Sequence, residues 1–287
     1  MWIGVLYLIG ASALFGCLPT VNKLLLLHGL TSGSLVFLTY LTVAAASGIA
    51  LIIQKKFLRV PLKQCVTLMI LGFLGMGATA YLLNLSYTFI PVGLSTMLHF
   101  SYPTLVVIIT TFFFKEKFNT AKAYAILASF LGMFLIANLS GGGEQIGILF
   151  ALTSGMTYAL YIVGNDKGTV NRFPLLLKIF YASAGTACIF GIQTLGNISL
   201  PSAGIDIFLL FGVCGLGTLA AYYFLTKGIK LVGAVTASFF NMLEPIFSLL
   251  ISTIVYQDAL EIKSILGGIL ILSAVFIIAA SPKLYQK

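Results

Sequence analysis

Apolar runs of about 19 to 27 residues follow one another along the whole chain and leave little room for anything else. Such a run, wound as a helix at about 1.5 Å per residue, crosses the ~30 Å hydrocarbon core of a bilayer. Ten can be placed: 2–27, 32–53, 64–87, 91–114 and 119–139, then 146–165, 173–195, 204–226, 231–256 and 260–281. The breaks between them carry turn or charge signals, among them His28-Gly29, Gln54-Lys55-Lys56, Lys115-Glu116-Lys117, Gly141-Gly142-Gly143-Glu144 and Asn165-Asp166-Lys167-Gly168. With 60% hydrophobic and 8% charged residues, against about 25% charged in soluble domains, the chain reads as an all-α integral membrane protein. The first run starts at Trp2 with no basic stretch before it and is about twice the length of a signal-peptide core, so it is expected to stay as a span.

The net charge of +9 does not point to nucleic acid, because the 16 Lys and Arg are scattered between apolar runs and build no basic face. Their distribution orients the chain instead. With ten spans and both termini on one side, that side collects 14 of them and the other keeps Lys23 and Lys263, so both termini are expected in the cytoplasm of a cell-membrane protein. Cys17, Cys65, Cys188 and Cys214 show neither metal-ligand nor disulfide spacing. No phosphate-binding GxxxxGK[ST] loop is present, so the energy for any transport is expected from a gradient or from the substrate's own concentration. Asn197-Ile198-Ser199 fits a glycosylation sequon, and Lys23 is placed to snorkel from the end of the first span.

The second half repeats the first. Gly72-x-x-Gly75-x-Gly77 recurs as Gly212-x-x-Gly215-x-Gly217, and Val92-Gly93 as Val232-Gly233, both 140 positions on. At an offset of 142, Pro103 matches Pro245, Glu116 matches Asp258, and Phe134–Ala137 matches Phe276–Ala279. At 143, Ile3-Gly4 matches Ile146-Gly147 and Asn22 matches Asn165. Two units are expected, 1–140 and 141–287. Five helices per unit make the second enter the membrane from the opposite face, an inverted repeat of the kind that places a transporter's site at the midplane between the halves. The repeated glycines are not a dinucleotide motif, since no strand precedes them; they suit close helix approach or sliding.

The five-plus-five layout, with Leu243-Glu244-Pro245-Ile246-Phe247 followed by the acidic Asp258, and Ser101-Tyr102-Pro103 followed by Glu116, resembles the EamA-type branch of the drug/metabolite transporter superfamily. The chain differs from the usual pattern in Gln257-Asp258, where Gly-Glu is common, and in Thr39, where an arginine is frequent. The resemblance implies transport of amino acids or similar small polar metabolites, often outward, without ATP hydrolysis.

Candidate site residues follow from polar groups inside the apolar runs. Glu244 stands near the middle of its span, where an unneutralised carboxylate is costly and therefore marks function. Pro245 beside it is expected to kink the helix and free a carbonyl near Asn241, a backbone partner that would give Glu244 a structural role instead. Asn241 and Glu244 are three apart, as are His99 and Tyr102, so each pair shares a helical face. The 142 offset pairs His99 with Asn241 and Tyr102 with Glu244, so the two faces are expected to confront each other. Tyr81 and Asn84 share a face with Tyr87, and Tyr158 and Tyr161 one with Asn165; Tyr222 and Tyr223 add further rings. Aromatic rings with polar tips suit a cavity that holds both apolar and polar parts of a solute. Tyr7, Tyr256 and Tyr285 fit interfacial belts instead.

The expectation is a secondary transporter, a monomer or homodimer among membrane lipids, in which the halves rock about a central cavity and export an amino acid or similar metabolite. No cofactor is called for. Proton coupling through Glu244 is one way to drive it, and a proton-coupled importer of a small organic cation is the alternative. A membrane-embedded enzyme would need a nucleophile–base pair or metal cluster, and His99 has no Asp or second His in its own helix.

Overall fold

The computed structural model describes residues 2–55, 60–90, 92–136, 145–201, 204–256 and 262–280. Lys56, Arg59, Pro91, Ala137, Gly141–Glu144, Gln257-Asp258, Lys283, Tyr285 and Lys287 lie outside the described residues, as do the side chains of Arg172, Tyr256 and Ala279. Regular structure among the described residues is all helical, and seven stretches are long and apolar enough to cross a membrane. Large apolar side chains such as Leu27, Ile53, Phe112 and Phe113 are exposed on the outside of the bundle, a coat suited to acyl chains.

α1 (Trp2–Leu27) and α2 (Ser32–Ile53) have the limits their apolar runs predict. Gly29 turns the chain between them at φ +96°, and Thr31 caps α2, its Oγ1 accepting from the Ser34 N–H at 3.3 Å. The third run is longer and less regular than expected. α3 (Leu62–Gly72) and α4 (Thr79–Phe89) are joined by a π-helical stretch, Phe73–Ala78. The eighth is built the same way, from α10 (Gly204–Ile207), a π-helical stretch Phe208–Gly217 and α11 (Thr218–Val232). It runs past the expected end at 226 because the chain turns only at Gly233, where φ is +83°.

The fourth and ninth runs are broken rather than kinked. α5 (Val92–His99) and α6 (Tyr102–Phe114) flank Phe100-Ser101, and α12 (Ala234–Asn241) and α13 (Glu244–Tyr256) flank Met242-Leu243. Each pair has eight and thirteen residues, and the breaks stand 142 positions apart. Pro103 and Pro245 are each the second residue of the helix that follows. There a missing N–H costs nothing, whereas inside a continuous helix it would leave a carbonyl one turn back unpaired. α7 (Thr120–Ile136), α8 (Gln145–Lys167), a 3₁₀ turn (Thr169–Arg172), α9 (Leu175–Gln193) and α14 (Ile262–Ala280) complete the bundle.

The packing partners are α7 with α14, α2 with α9, α1 with α11, and α4 with α8; α6 meets α12, α1 also meets α13, and α8 also meets α5 and α6. Close approach is provided by glycines: a Cβ on Gly72 would fall on the Ala182 backbone, one on Gly75 inside the Tyr161 side chain, and one on Gly215 against Thr42. Gly212 and Gly217 are not close-approach points; the nearest atoms to a Cβ there are a Phe208 ring carbon at 3.3 Å and the Gly212 carbonyl at 4.0 Å.

Candidate functional site

The break between α12 and α13 makes Glu244 the first residue of a helix in the interior of the bundle. Its half-buried side chain lines a cavity of about 100 Å³, room enough for water. Among the described residues it has no hydrogen-bond or ion-pair partner, and no lysine or arginine lines the cavity. The freed carbonyl expected as a backbone partner, which only a protonated Glu244 could reach as donor, is therefore not engaged by its side chain among the described residues.

α1 contributes Phe15, Pro19 and Asn22, α2 contributes Thr39 and Tyr40, and α4 contributes Asn84 and Tyr87. His99, Tyr158 and Tyr222 complete the wall around Glu244. Asn22 donates to the Asn84 amide oxygen at 3.4 Å and accepts from the Cys214 thiol at 3.3 Å, so two helices from one half and one from the other meet at its side chain. Tyr40 donates to the Met76 carbonyl at 3.2 Å and lies 3.2 Å from the Tyr222 hydroxyl.

Glu244, His99, Asn84, Tyr158 and Tyr222 thus surround the cavity. Asn241 and Tyr102 sit just behind its wall: Asn241 Nδ2 donates to the Tyr158 hydroxyl at 3.0 Å, and the Tyr102 hydroxyl reaches the Ser238 carbonyl at 3.4 Å. The His99 ring lies 5.4 Å from that of Tyr102 and 5.5 Å from that of Tyr158, and its Nδ1 is 2.9 Å from Ser154 Oγ. Tyr161 is a layer deeper, stacked on Tyr158 at 6.3 Å and edge-on to Tyr222 at 5.5 Å. Tyr81 faces elsewhere; its hydroxyl accepts from Gln193 Nε2 at 3.0 Å and its ring packs on Phe190. Asn22, Tyr40 and Tyr87 were not singled out as site residues by sequence reasoning. Asn22 carried a signal in its match to Asn165, and Tyr87 in sharing a face with Asn84.

The cavity lies toward one end of the bundle, where α1 ends, α2 begins and α4 ends. At that end His28 Nδ1 is 2.8 Å from the buried Asp206 carboxylate, and the Thr31 N–H donates to Ser199 Oγ at 2.7 Å. At the opposite end charged groups bridge the halves. Glu116 pairs with the buried Lys122 at 3.4 Å and with Lys167 at 2.9 Å. Lys167 reaches Asp166 at 3.1 Å, and Asp166 accepts from the Ala234 N–H at 3.2 Å, so the start of α12 is tied in. Partial burial alone would raise the Glu116 pKa; the Lys167 and Lys122 ammonium groups outweigh it and hold the carboxyl below its ordinary range.

The model of the EamA-like transporter family matches residues 2–138 and again 145–280. The chain belongs to the EamA-like transporter family. A protein of Archaeoglobus fulgidus designated an uncharacterized transporter is 26% identical over 225 residues, covering 77% of this chain and 79% of that one. An S-adenosylmethionine uptake transporter of Rickettsia felis is 24% identical over 216 residues, covering 75% of this chain and 70% of that one. A crystal structure at 17% identity superimposes with a TM-score of 0.80 over 96% of this chain and 98% of the other, a likeness of fold. The chain is a multi-pass membrane transporter with a small-molecule substrate, and not an enzyme.

Proposed function

We propose that this EamA-family transporter is a secondary carrier in which two inverted five-helix units, 1–140 and 141–287, alternate about the Glu244 cavity. The packing supports this reading. If the helical runs are paired one to six, two to seven, three to eight, four to nine and five to ten, the contact of α2 with α9 and that of α7 with α14 map onto themselves. The contact of α1 with α11 maps onto that of α8 with α4. Such self-mapping is what a pseudo-two-fold axis produces. With both termini in the cytoplasm of a cell-membrane protein, the cavity faces outward and the Glu116–Lys167 cluster closes the inner side.

The substrate the cavity fits is a small metabolite with a cationic group, an amino acid or a close relative, moved outward. The observation that carries this is the Glu244 carboxylate, without a partner among the described residues, in a chamber that no lysine or arginine lines and that tyrosine rings wall, rings which attract cations through their faces. Proton binding at Glu244 would couple the step to a gradient. The Rickettsia relatives favour a second reading, inward uptake of an organic cation, because S-adenosylmethionine carries a sulfonium and an ammonium group. Counterflow in proteoliposomes loaded with labelled amino acids or S-adenosylmethionine tests both, with and without a pH gradient. Flux in either direction that depends on Glu244 supports the carrier. Flux of the Glu244→Gln protein that matches the unsubstituted one, with the same pH dependence, would remove Glu244 from the mechanism.

A further inference from the structure

The inner half of the transport path is closed, yet the repeat identifies the side chains that line it when it opens. At the 143-residue offset that pairs Asn22 with Asn165, the cavity residues Phe15 and Leu18 of α1 fall on Tyr158 and Tyr161 of α8. The same offset sets the start of α2 on the start of α9, and the cavity residue Leu35 on Lys178. At the 140-residue offset of the glycine motif, the cavity residue Tyr87 falls on Lys227. The outer chamber is therefore acidic and lined by no lysine or arginine, whereas the positions that match it on the inner side include two lysines, of which Lys227 already donates to the Tyr7 hydroxyl at 2.7 Å.

Lys178 is the more telling of the two. Its side chain is 4% exposed, and among the described residues its one hydrogen bond runs from Nζ to the amide oxygen of Asn165 at 3.2 Å, itself 3% exposed. An ammonium has three protons to give, so two donors are unused. The charged neighbour acting on Lys178 is another cation, Lys230 on α11. The nearest acid in sequence to Asn165, Asp166, is engaged with Lys167 and the Ala234 N–H. Among the described residues no carboxylate pairs with Lys178; a buried ammonium so placed is costly, and an anion entering the site would offset that cost.

We propose that Lys178, with Asn165 and the Tyr161 ring beneath the cavity, is an anion subsite of the inward-facing state that receives the carboxylate of the transported solute. This inference rests on the inverted-repeat carrier described above and extends it. Glu244 holds the cationic end of a zwitterion in the centre, and Lys178 draws its carboxylate along the inner path. A phosphate headgroup has the same oxyanion chemistry, so the test separates the two sources.

The test places one reporter thiol, Ser183→Cys, in protein whose four native cysteines are replaced; Ser183 is the repeat counterpart of the cavity residue Tyr40. Membrane-impermeant methanethiosulfonates, one anionic and one cationic, are applied in turn to each face of phosphatidylcholine vesicles. The anionic reagent is expected to react faster by about fivefold from the face that carries Lys178, the effect of one unit charge at short range in a partly hydrated site. Lys178→Arg should keep that preference and Lys178→Met should lose it; the Arg variant guards against a folding defect. Acetate should slow the anionic reagent. Equal rates for the two reagents, no labelling from either face, or a preference indifferent to Lys178→Met would overturn the subsite. Suppression by added phosphatidylglycerol but not by acetate would overturn the solute assignment. None of these rates depends on Glu244, so failure here is distinguishable from failure of the flux experiment.

Discussion

Among the described residues Glu244 differs from the other acids in lacking a partner: Glu116, Asp166 and Asp206 each have one, and Glu244 has an open cavity. Replacing it with Gln keeps its volume and removes the charge, so flux of a cationic substrate should fall about ten- to a hundredfold, the equivalent of a charge-assisted hydrogen bond. Tyr158→Phe makes a different prediction. It deletes the acceptor of the Asn241 amide and leaves that buried N–H unpaired, at a cost of about 1–3 kcal/mol. Thermal unfolding in detergent should therefore shift downward even without substrate; an unchanged midpoint would show that Asn241 does not depend on Tyr158. Much of this site was legible in the sequence, because Glu244, Asn241 and His99 are polar residues in otherwise apolar runs. Tyr40 was not, since a lone tyrosine in a span reads equally as an interfacial residue; its neighbours Tyr222 and the Met76 carbonyl are supplied by other helices.

Among the elements, the two glycine motifs look alike in sequence and differ in surroundings. Gly75→Ala would push a methyl group into Tyr161 and should cost about 1–3 kcal/mol, whereas Gly212→Ala meets only a Phe208 ring edge and should be close to neutral. Equal losses for both would mean that the motif serves the π-helical geometry rather than helix approach. The motif could be read from sequence as a spacing; the π-helical stretch and the full breaks at Phe100-Ser101 and Met242-Leu243 could not, because hydrophobic periodicity continues across them. The loop that carries Glu116 makes a pH prediction. Its pKa is lower folded than unfolded, so the pairing stabilises the protein above the unfolded value of about 4.3 and is lost as pH falls through the lower folded value. Acid unfolding curves of Glu116→Gln should lack that component. If wild type and variant lose stability in parallel below pH 4.3, the cluster contributes nothing.

At the scale of the whole molecule, alternating access requires that opening one end closes the other. The all-helical membrane character and the repetition of one unit were legible in the sequence because each span must satisfy its own backbone and present apolar side chains to lipid. Which end stands open was not, since an inverted repeat, as proposed, would write both conformations in the same residues. Paired spin labels decide the matter: Thr88 with Ile205 near the cavity mouth, and Lys63 with Lys230 at the opposite end, all exposed. Double electron–electron resonance in lipid, with and without a transported amino acid, reads both distances. The expected result is reciprocal, with the mouth pair shortening in the fraction of molecules in which the opposite pair lengthens. Two distances that stay fixed while substrate is being transported, or that grow together, would contradict alternating access about Glu244.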